Sequence, residues 1–239
     1  MKVRALAALV SITCLIIMIV PVRVYGSTEA NAFYGSTPVI DGVINSGEWS
    51  DADNFASGAY AKQDGRNLYI AVSIDDTTYS TSDWFEIFFD VNNDRTSSLL
   101  SDDLMIGFDR STGGNTTAYE YHVVGGDWSW ASVSGWVGNI SYSGGWQLEF
   151  SIQYAKINVA AGNAKNIGFA MIGYDSYTGT NYYWPDRGPF MKNPSLWGSL
   201  YSTPYNWVPE ISSVLALSTF MILTLLAVMI HRRRRQLQP

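Results

Sequence analysis

The chain has 239 residues, of which 47% are hydrophobic and only 15% charged, with two histidines, a single cysteine and a formal net charge of −6. The charge is unevenly spread: between residues 27 and 210, eight basic residues stand against 21 acidic ones, a local net charge of −13. Such an excess repels nucleic acid and anionic lipid, so neither is expected to bind this region. Because the one cysteine, Cys14, lies inside an N-terminal apolar run, the remainder is expected to have no disulfide and no thiol chemistry.

Residues 1–26 have the layout of a secretory signal: Lys2 and Arg4, an apolar run from Ala5 to Val20, then Pro21 and a small-residue exit at Val24-Tyr25-Gly26. A mature chain is expected to start near Ser27. Residues 27–203 then read as one all-β domain, an antiparallel β-sandwich of jelly-roll or immunoglobulin-like type. Its strands are predicted over Leu68 to Ile74, Trp84 to Val91, Leu104 to Phe108, Ala118 to Val124, Trp136 to Tyr142, Trp146 to Ile152 and Ile167 to Tyr174. Gly113-Gly114, Gly125-Gly126 and Gly144-Gly145 fall between them, where hairpin turns call for positive φ. Within Trp146 to Ile152, Trp146, Leu148, Phe150 and Ile152 form one face, predicted as core, while Gln147, Glu149 and Ser151 form the other, predicted as solvent-facing. Residues 204–210 form a short polar stalk. Ile211 to Ile230 are uncharged and, as a helix, span about 30 Å of hydrocarbon. His231 and Arg232 to Arg235 follow, so residues 231–239 are expected in the cytoplasm and the β domain outside the cell, on a single-pass membrane protein.

The stretch Asp83 to Asp94, continued by Asp102-Asp103, passes from an aromatic strand into a loop crowded with oxygen ligands. Carboxylates held about 4 Å apart repel by roughly 4 kcal/mol at an effective dielectric of 20, so Asp90, Asn92 and Asp94, closed by Asp102 or Asp103, form a candidate calcium site. The loop lacks the glycine and terminal glutamate of an EF-hand. Catalysis has no evident candidates: there is no zinc spacing and no Gly-x-Ser-x-Gly elbow. His122 alternates with Glu120 opposite Tyr119, Tyr121 and Val123, which predicts a solvent-facing histidine. Among the tryptophans, Trp49, Trp146 and Trp197 fit core positions, and Trp128 and Trp130 lie in a Gly-flanked turn. Trp184, inside Asn181 to Asp186, reads as a loop residue available to a ligand. Trp84 alternates with Glu86 and Phe88, a pattern that leaves its face open. Asn115 and Asn139 begin glycosylation-type triplets.

Three stretches in order, Ile40 to Trp49, Asp83 to Asn93 with Asp102-Asp103, and Gly144 to Glu149, together resemble the family 9 carbohydrate-binding modules and related DOMON-like sandwiches. The resemblance runs from about Pro38 to Leu200 and implies a non-catalytic domain that binds a glycan or oligosaccharide; joined to the acidic loop and the membrane segment, it makes a surface-tethered, calcium-supported sugar-binding domain the leading expectation. It implies that Glu86 reaches sugar hydroxyls and that Asn181 and Trp184 stand for an asparagine and a stacking tryptophan. The opposing aromatic falls at Ser80 with Tyr79 adjacent, and a basic residue falls at Gly107, with Arg110 as a substitute; Trp84 joins these as a further ring. Relatives of the fold also bind haem through Met, His or Lys, for which Met105, Met171, Lys156 and His122 are candidates, and a structural envelope protein without a small ligand is a third expectation. Val208-Pro209-Glu210, the apolar helix and the arginine cluster resemble the signals that archaeosortases and exosortases process, although Ile211 replaces the usual Phe. A sorting enzyme is therefore an expected partner.

Overall fold

The computed structural model describes residues 28–78, 80–110, 116–142, 145–160, 165–186 and 191–202. The signal, stalk, membrane segment and basic tail, together with Tyr79 and Asn115, lie outside the described residues. The described chain is all-β, with strands β1 (Glu29–Tyr34), β2 (Asp53–Ala56), β3 (Ala59–Gln63), β4 (Asn67–Ile74), β5 (Trp84–Asp90), β6 (Asp103–Arg110), β7 (Thr116–Val124), β8 (Asp127–Ala131), β9 (Trp136–Ser141), β10 (Trp146–Gln153), β11 (Lys165–Asp175), β12 (Thr180–Trp184) and β13 (Gly198–Ser202). The seven predicted strands are all present, within two residues at each end. The two-residue Gly125-Gly126 turn, with φ of 64° and 85°, closes the β7–β8 hairpin in the conformation that matches strand twist.

The strands form a front layer in the order β8-β7-β6-β5-β11-β13-β1 and a back layer in the order β1-β3-β4-β10-β9. β12 pairs with the second half of β11, and β2 pairs with β3. β1 belongs to both layers: Glu29 to Ala32 pair with Ser199 to Ser202 of β13, and Phe33 and Tyr34 with Lys62 and Gln63 of β3. Both pairings are parallel, a departure from the otherwise antiparallel plan.

Phe85, Ile87 and Phe89 of β5 and Ile106 and Phe108 of β6 meet Leu68, Ile70, Val72, Leu148, Phe150 and Ile152 of the back layer in one buried core. Phe150 lies 5.4 Å from the ring of Phe108 and 5.9 Å from that of Phe85, so the layers interdigitate through aromatic contacts. Trp49, Trp146 and Trp197 are buried as predicted.

The solvent-facing reading of Glu149 is corrected. The segment after β1 covers the outer face of β10, and Glu149 is fully buried beneath it. Its Oε2 accepts from the backbone N–H groups of Asp41 (3.0 Å) and Gly42 (2.9 Å), and its Oε1 from Trp49 Nε1 (2.8 Å). Glu120 is likewise buried rather than wet, accepting from Trp136 Nε1 at 2.9 Å and meeting both Lys156 and His122, while the His122 side chain stays 45% exposed.

Candidate functional site

The outer face of the front layer carries the chemistry, because the strand register aligns side chains of one parity across five strands. One row runs Asn181, Tyr174, Trp84, Asp109, Thr117. The next runs Tyr183, Ile172, Glu86, Gly107, Tyr119. Below them Phe88, Met105, Ala170 and Val123 form a second apolar cluster roofed by Leu99, Trp128 and Trp197. The roof stops short of Trp84 and Tyr174, which are half-buried with ring centroids 5.5 Å apart and planes inclined by 32°. Asn181 and Asp109 are exposed at the same level.

Glu86 sits between the roofed and open parts, with 7% of its surface accessible. Tyr119 donates its hydroxyl to Glu86 Oε1 at 3.0 Å, and Glu86 Oε2 is buried with no hydrogen-bond partner. Burial, with some repulsion from Asp109, raises the Glu86 pKa to about 7 against the opposing effect of the Tyr119 bond. Burial and the adjacent Glu86 charge push the Tyr119 phenol up, so it remains a proton donor. Gly107 makes this pair possible: a Cβ there would stand 2.8 Å from Tyr119 Cζ and 2.5 Å from the Phe85 carbonyl oxygen. The position where the resemblance placed a base is thus a notch over which a phenol lies flat. Gly107→Ala is expected to destabilise the protein by about 1–3 kcal/mol and to displace Tyr119 from Glu86; an unchanged melting temperature would show that the notch is dispensable.

Of the residues singled out in the sequence, Trp84, Glu86 and Asn181 come together on this face. Trp184 does not. It ends β12 rather than standing in a loop, and its indole, 7% exposed, packs 4.9 Å from Phe55 and 5.3 Å from Phe169 on the core side. Asn181 to Asp186 reads as a loop, yet pairing of Trp184 with Met171 turns the ring inward. Arg110 also leaves the site: it shares the inward parity of Ile106 and Phe108, lies 4.0 Å over the Tyr142 ring, and donates to Asp83. The sequence reading missed Tyr174, Tyr119 and Asp109; their common parity was visible, but the register that places them beside Glu86 was not. Trp128 helps to roof the apolar cluster, donating Nε1 to the Met191 carbonyl at 3.0 Å, whereas Trp130 is 67% exposed.

In the acidic loop, carboxylate oxygens of Asp90, Asp94 and Asp102 lie within 4.8 Å of one another. Fully buried Asp90, against which Gly168 leaves no room for a Cβ, accepts from the backbone N–H groups of Asp94 at 3.1 Å and Arg95 at 3.0 Å. Asn92 enters through its backbone N–H, 3.0 Å from Asp102 Oδ2. Asp103 stands outside the trio, accepting from Leu100 N at 2.7 Å; burial and the neighbouring carboxylates raise its pKa to about 7. Asn139 is exposed on β9. The four haem-ligand candidates do not converge: Met105 lies in the roofed cluster and Met171 in the inter-layer core, while His122 and Lys156 both meet Glu120.

The described residues thus form a two-layer β fold in which half-buried rings stand near a buried carboxylate oxygen with no hydrogen-bond partner. Residues 27–202 match the family described as carbohydrate family 9 binding domain-like, and the chain belongs to that family. A family 9 carbohydrate-binding module from Caldicellulosiruptor kristjanssonii in complex with cellotriose has the same fold, with 20% sequence identity, a TM-score of 0.54, and coverage of 76% of this chain and 98% of that one. A second structure of such a module from that organism, in complex with glucose, is similar at 21% identity and a TM-score of 0.54, covering 76% of this chain and 100% of the other. No curated protein matches the chain.

Proposed function

We propose that this chain is a non-catalytic, externally displayed carbohydrate-binding protein, held at the membrane by residues 211–230, that seats sugar on the face around Trp84 and Glu86. The observation that carries the reading is Glu86 Oε2, an acceptor withdrawn from water and given no internal donor. A sugar hydroxyl supplies that donor once a small rotation of the Glu86 side chain brings the oxygen to the surface, while Tyr119 hydrogen-bonds the other oxygen. Trp84 and Tyr174 offer ring surface to the C–H face of a pyranose, and Asn181 and Asp109 stand at the rim for further hydroxyls. The two similar modules bind cellotriose and glucose, which makes β-linked glucose oligomers the first ligands to try. The Asp90–Asp94–Asp102 loop is proposed to hold calcium, steadying the end of β5 away from the sugar. Processing at Pro209-Glu210 by a sorting enzyme would exchange the helix for another surface attachment without altering this face.

Titration of the full chain with glucose, cellotriose and a panel of other oligosaccharides, followed by calorimetry and tryptophan emission, tests the proposal. Saturable binding is expected, weakened at least about tenfold by Trp84→Ala, a loss of roughly 1.4 kcal/mol. Absence of heat and of any emission change across the panel would sink it.

A further inference from the structure

The outer face of the front layer continues past Tyr119 to the edge of the sheet. There Tyr121 of β7 stands opposite Trp130 of β8, on the same face as Trp84 and Glu86. Trp130 is 67% exposed, and among the described residues it is the tryptophan most open to solvent. Nothing in the sugar-binding reading uses either ring.

The two places are continuous. The Tyr121 ring lies 5.7 Å from that of Tyr119, inclined by 79°, and Tyr119 in turn donates to Glu86. Asp109 and Thr117, which follow Trp84 in register on β6 and β7, are exposed, so accessible surface leads from Trp84 across the strands toward Trp130. β5 and β8 are three strand spacings apart, about 14 Å, whereas a pyranose is about the size of a phenol ring; one sugar covers one platform and about three reach from the first to the second.

The far platform is also held in place. Trp128, two residues before Trp130, donates to the Met191 carbonyl, and Asp127 pairs with Lys192 at 2.7 Å, so the β7–β8 hairpin is tied to the segment preceding β13 while the Trp130 indole is left bare. An exposed ring on an anchored strand loses little freedom when a ligand covers it. A second copy of the chain is the other occupant that a bare edge strand suggests. The acidic excess of residues 27–210 opposes it, and Trp130 projects from the face of the sheet rather than along the edge where another strand would pair. The same acidic excess, with Asp109 on the path, repels uronic and sulfated chains.

We propose that Tyr121 and Trp130 form a second ring platform for the same ligand, which is a neutral oligosaccharide or polysaccharide laid across β5 to β8. The inference rests on the sugar-binding reading. The Trp84 and Glu86 end holds one unit by its ring face and hydroxyls, and the Trp130 end adds stacking for a unit farther along the chain. The protein therefore discriminates by chain length, holding a long chain more tightly than the free monosaccharide.

The test uses the full chain in a detergent without a sugar headgroup, titrated by calorimetry with glucose, cellotriose and cellohexaose, alongside Trp130→Ala and Trp130→Phe. Wild-type protein is expected to bind cellohexaose at least about twentyfold more tightly than glucose, beyond what the larger number of units per chain explains. Trp130→Ala should remove most of that gain while leaving glucose affinity within twofold and the melting temperature unchanged, and Trp130→Phe should keep part of the gain. Glucose binding with no gain for longer chains, a loss in Trp130→Ala that is equal for all three ligands, or a cellohexaose affinity untouched by Trp130→Ala would overturn the second platform and leave the first standing. Absence of binding by all three sugars would overturn both. Sedimentation of the same samples decides the competing occupant: a dimer that Trp130→Ala dissolves, with cellohexaose affinity unaltered, would assign the ring to a second copy and overturn the proposal.

Discussion

Glu86→Gln is expected to weaken sugar binding about 10- to 100-fold and, at the same time, to make the protein more stable at pH 8. The binding loss follows from replacing a charged acceptor, whose hydrogen bonds are worth about 1.5–3 kcal/mol, with a neutral one. The stability gain follows from linkage. The Glu86 carboxyl titrates at about 7 in the folded protein, against 4.5 when unperturbed. Between those values the folded state retains a proton that the unfolded state has released, so stability falls as pH rises through the window, and the whole cost is present above pH 7. The shift corresponds to a cost of about 3 kcal/mol, which glutamine removes. Thermal melts at pH 8 should therefore favour the variant, and melts at pH 4 should show little difference; equal shifts at both pH values would refute the argument. The wild type should also bind sugar about tenfold more weakly at pH 6 than at pH 8, because only about a tenth of Glu86 is ionised one unit below its pKa.

Glu149→Ala is expected to cost about 3–5 kcal/mol, because it strands two backbone N–H groups and the Trp49 indole N–H under the covering segment. The damage should begin at one place. Amide exchange should accelerate first around Asp41 and Gly42, and chemical denaturation should show a lower midpoint. Glu149→Gln, which retains an acceptor oxygen but cannot take three donors as well, should fall between the alanine variant and the wild type. A midpoint unchanged by Glu149→Ala would mean that the covering segment is held by its apolar contacts at Ile40, Ile44 and Trp49 alone.

The strands that were legible in the sequence are long, aromatic and β-branched: β4, β5, β6, β7, β9, β10 and β11 all announce themselves by composition. Two of the others, Glu29-Ala30-Asn31-Ala32 in β1 and Gly198-Ser199-Leu200 in β13, are short runs of mostly small and polar residues, and they become strands only because a distant partner supplies the ladder. For the site, Glu86 was identifiable, but β5 is apolar on both faces, since Phe85, Ile87 and Phe89 alternate with Trp84, Glu86 and Phe88. Periodicity cannot choose the core side of such a strand. Arg110 was a different kind of miss: its parity with Ile106 and Phe108 already pointed inward. Burial of Glu149 and exposure of Asn181 depend on which segment crosses which face, a property of topology that local pattern does not encode.

β13 is bonded along both flanks, to β1 on one side and β11 on the other. Tension applied along β13 from its C-terminal end loads both ladders in shear. All of their bonds must then rupture nearly together, whereas an edge strand would unzip one bond at a time. The small strand carrying almost none of the recognisable sequence signal is therefore the mechanical clasp of the molecule.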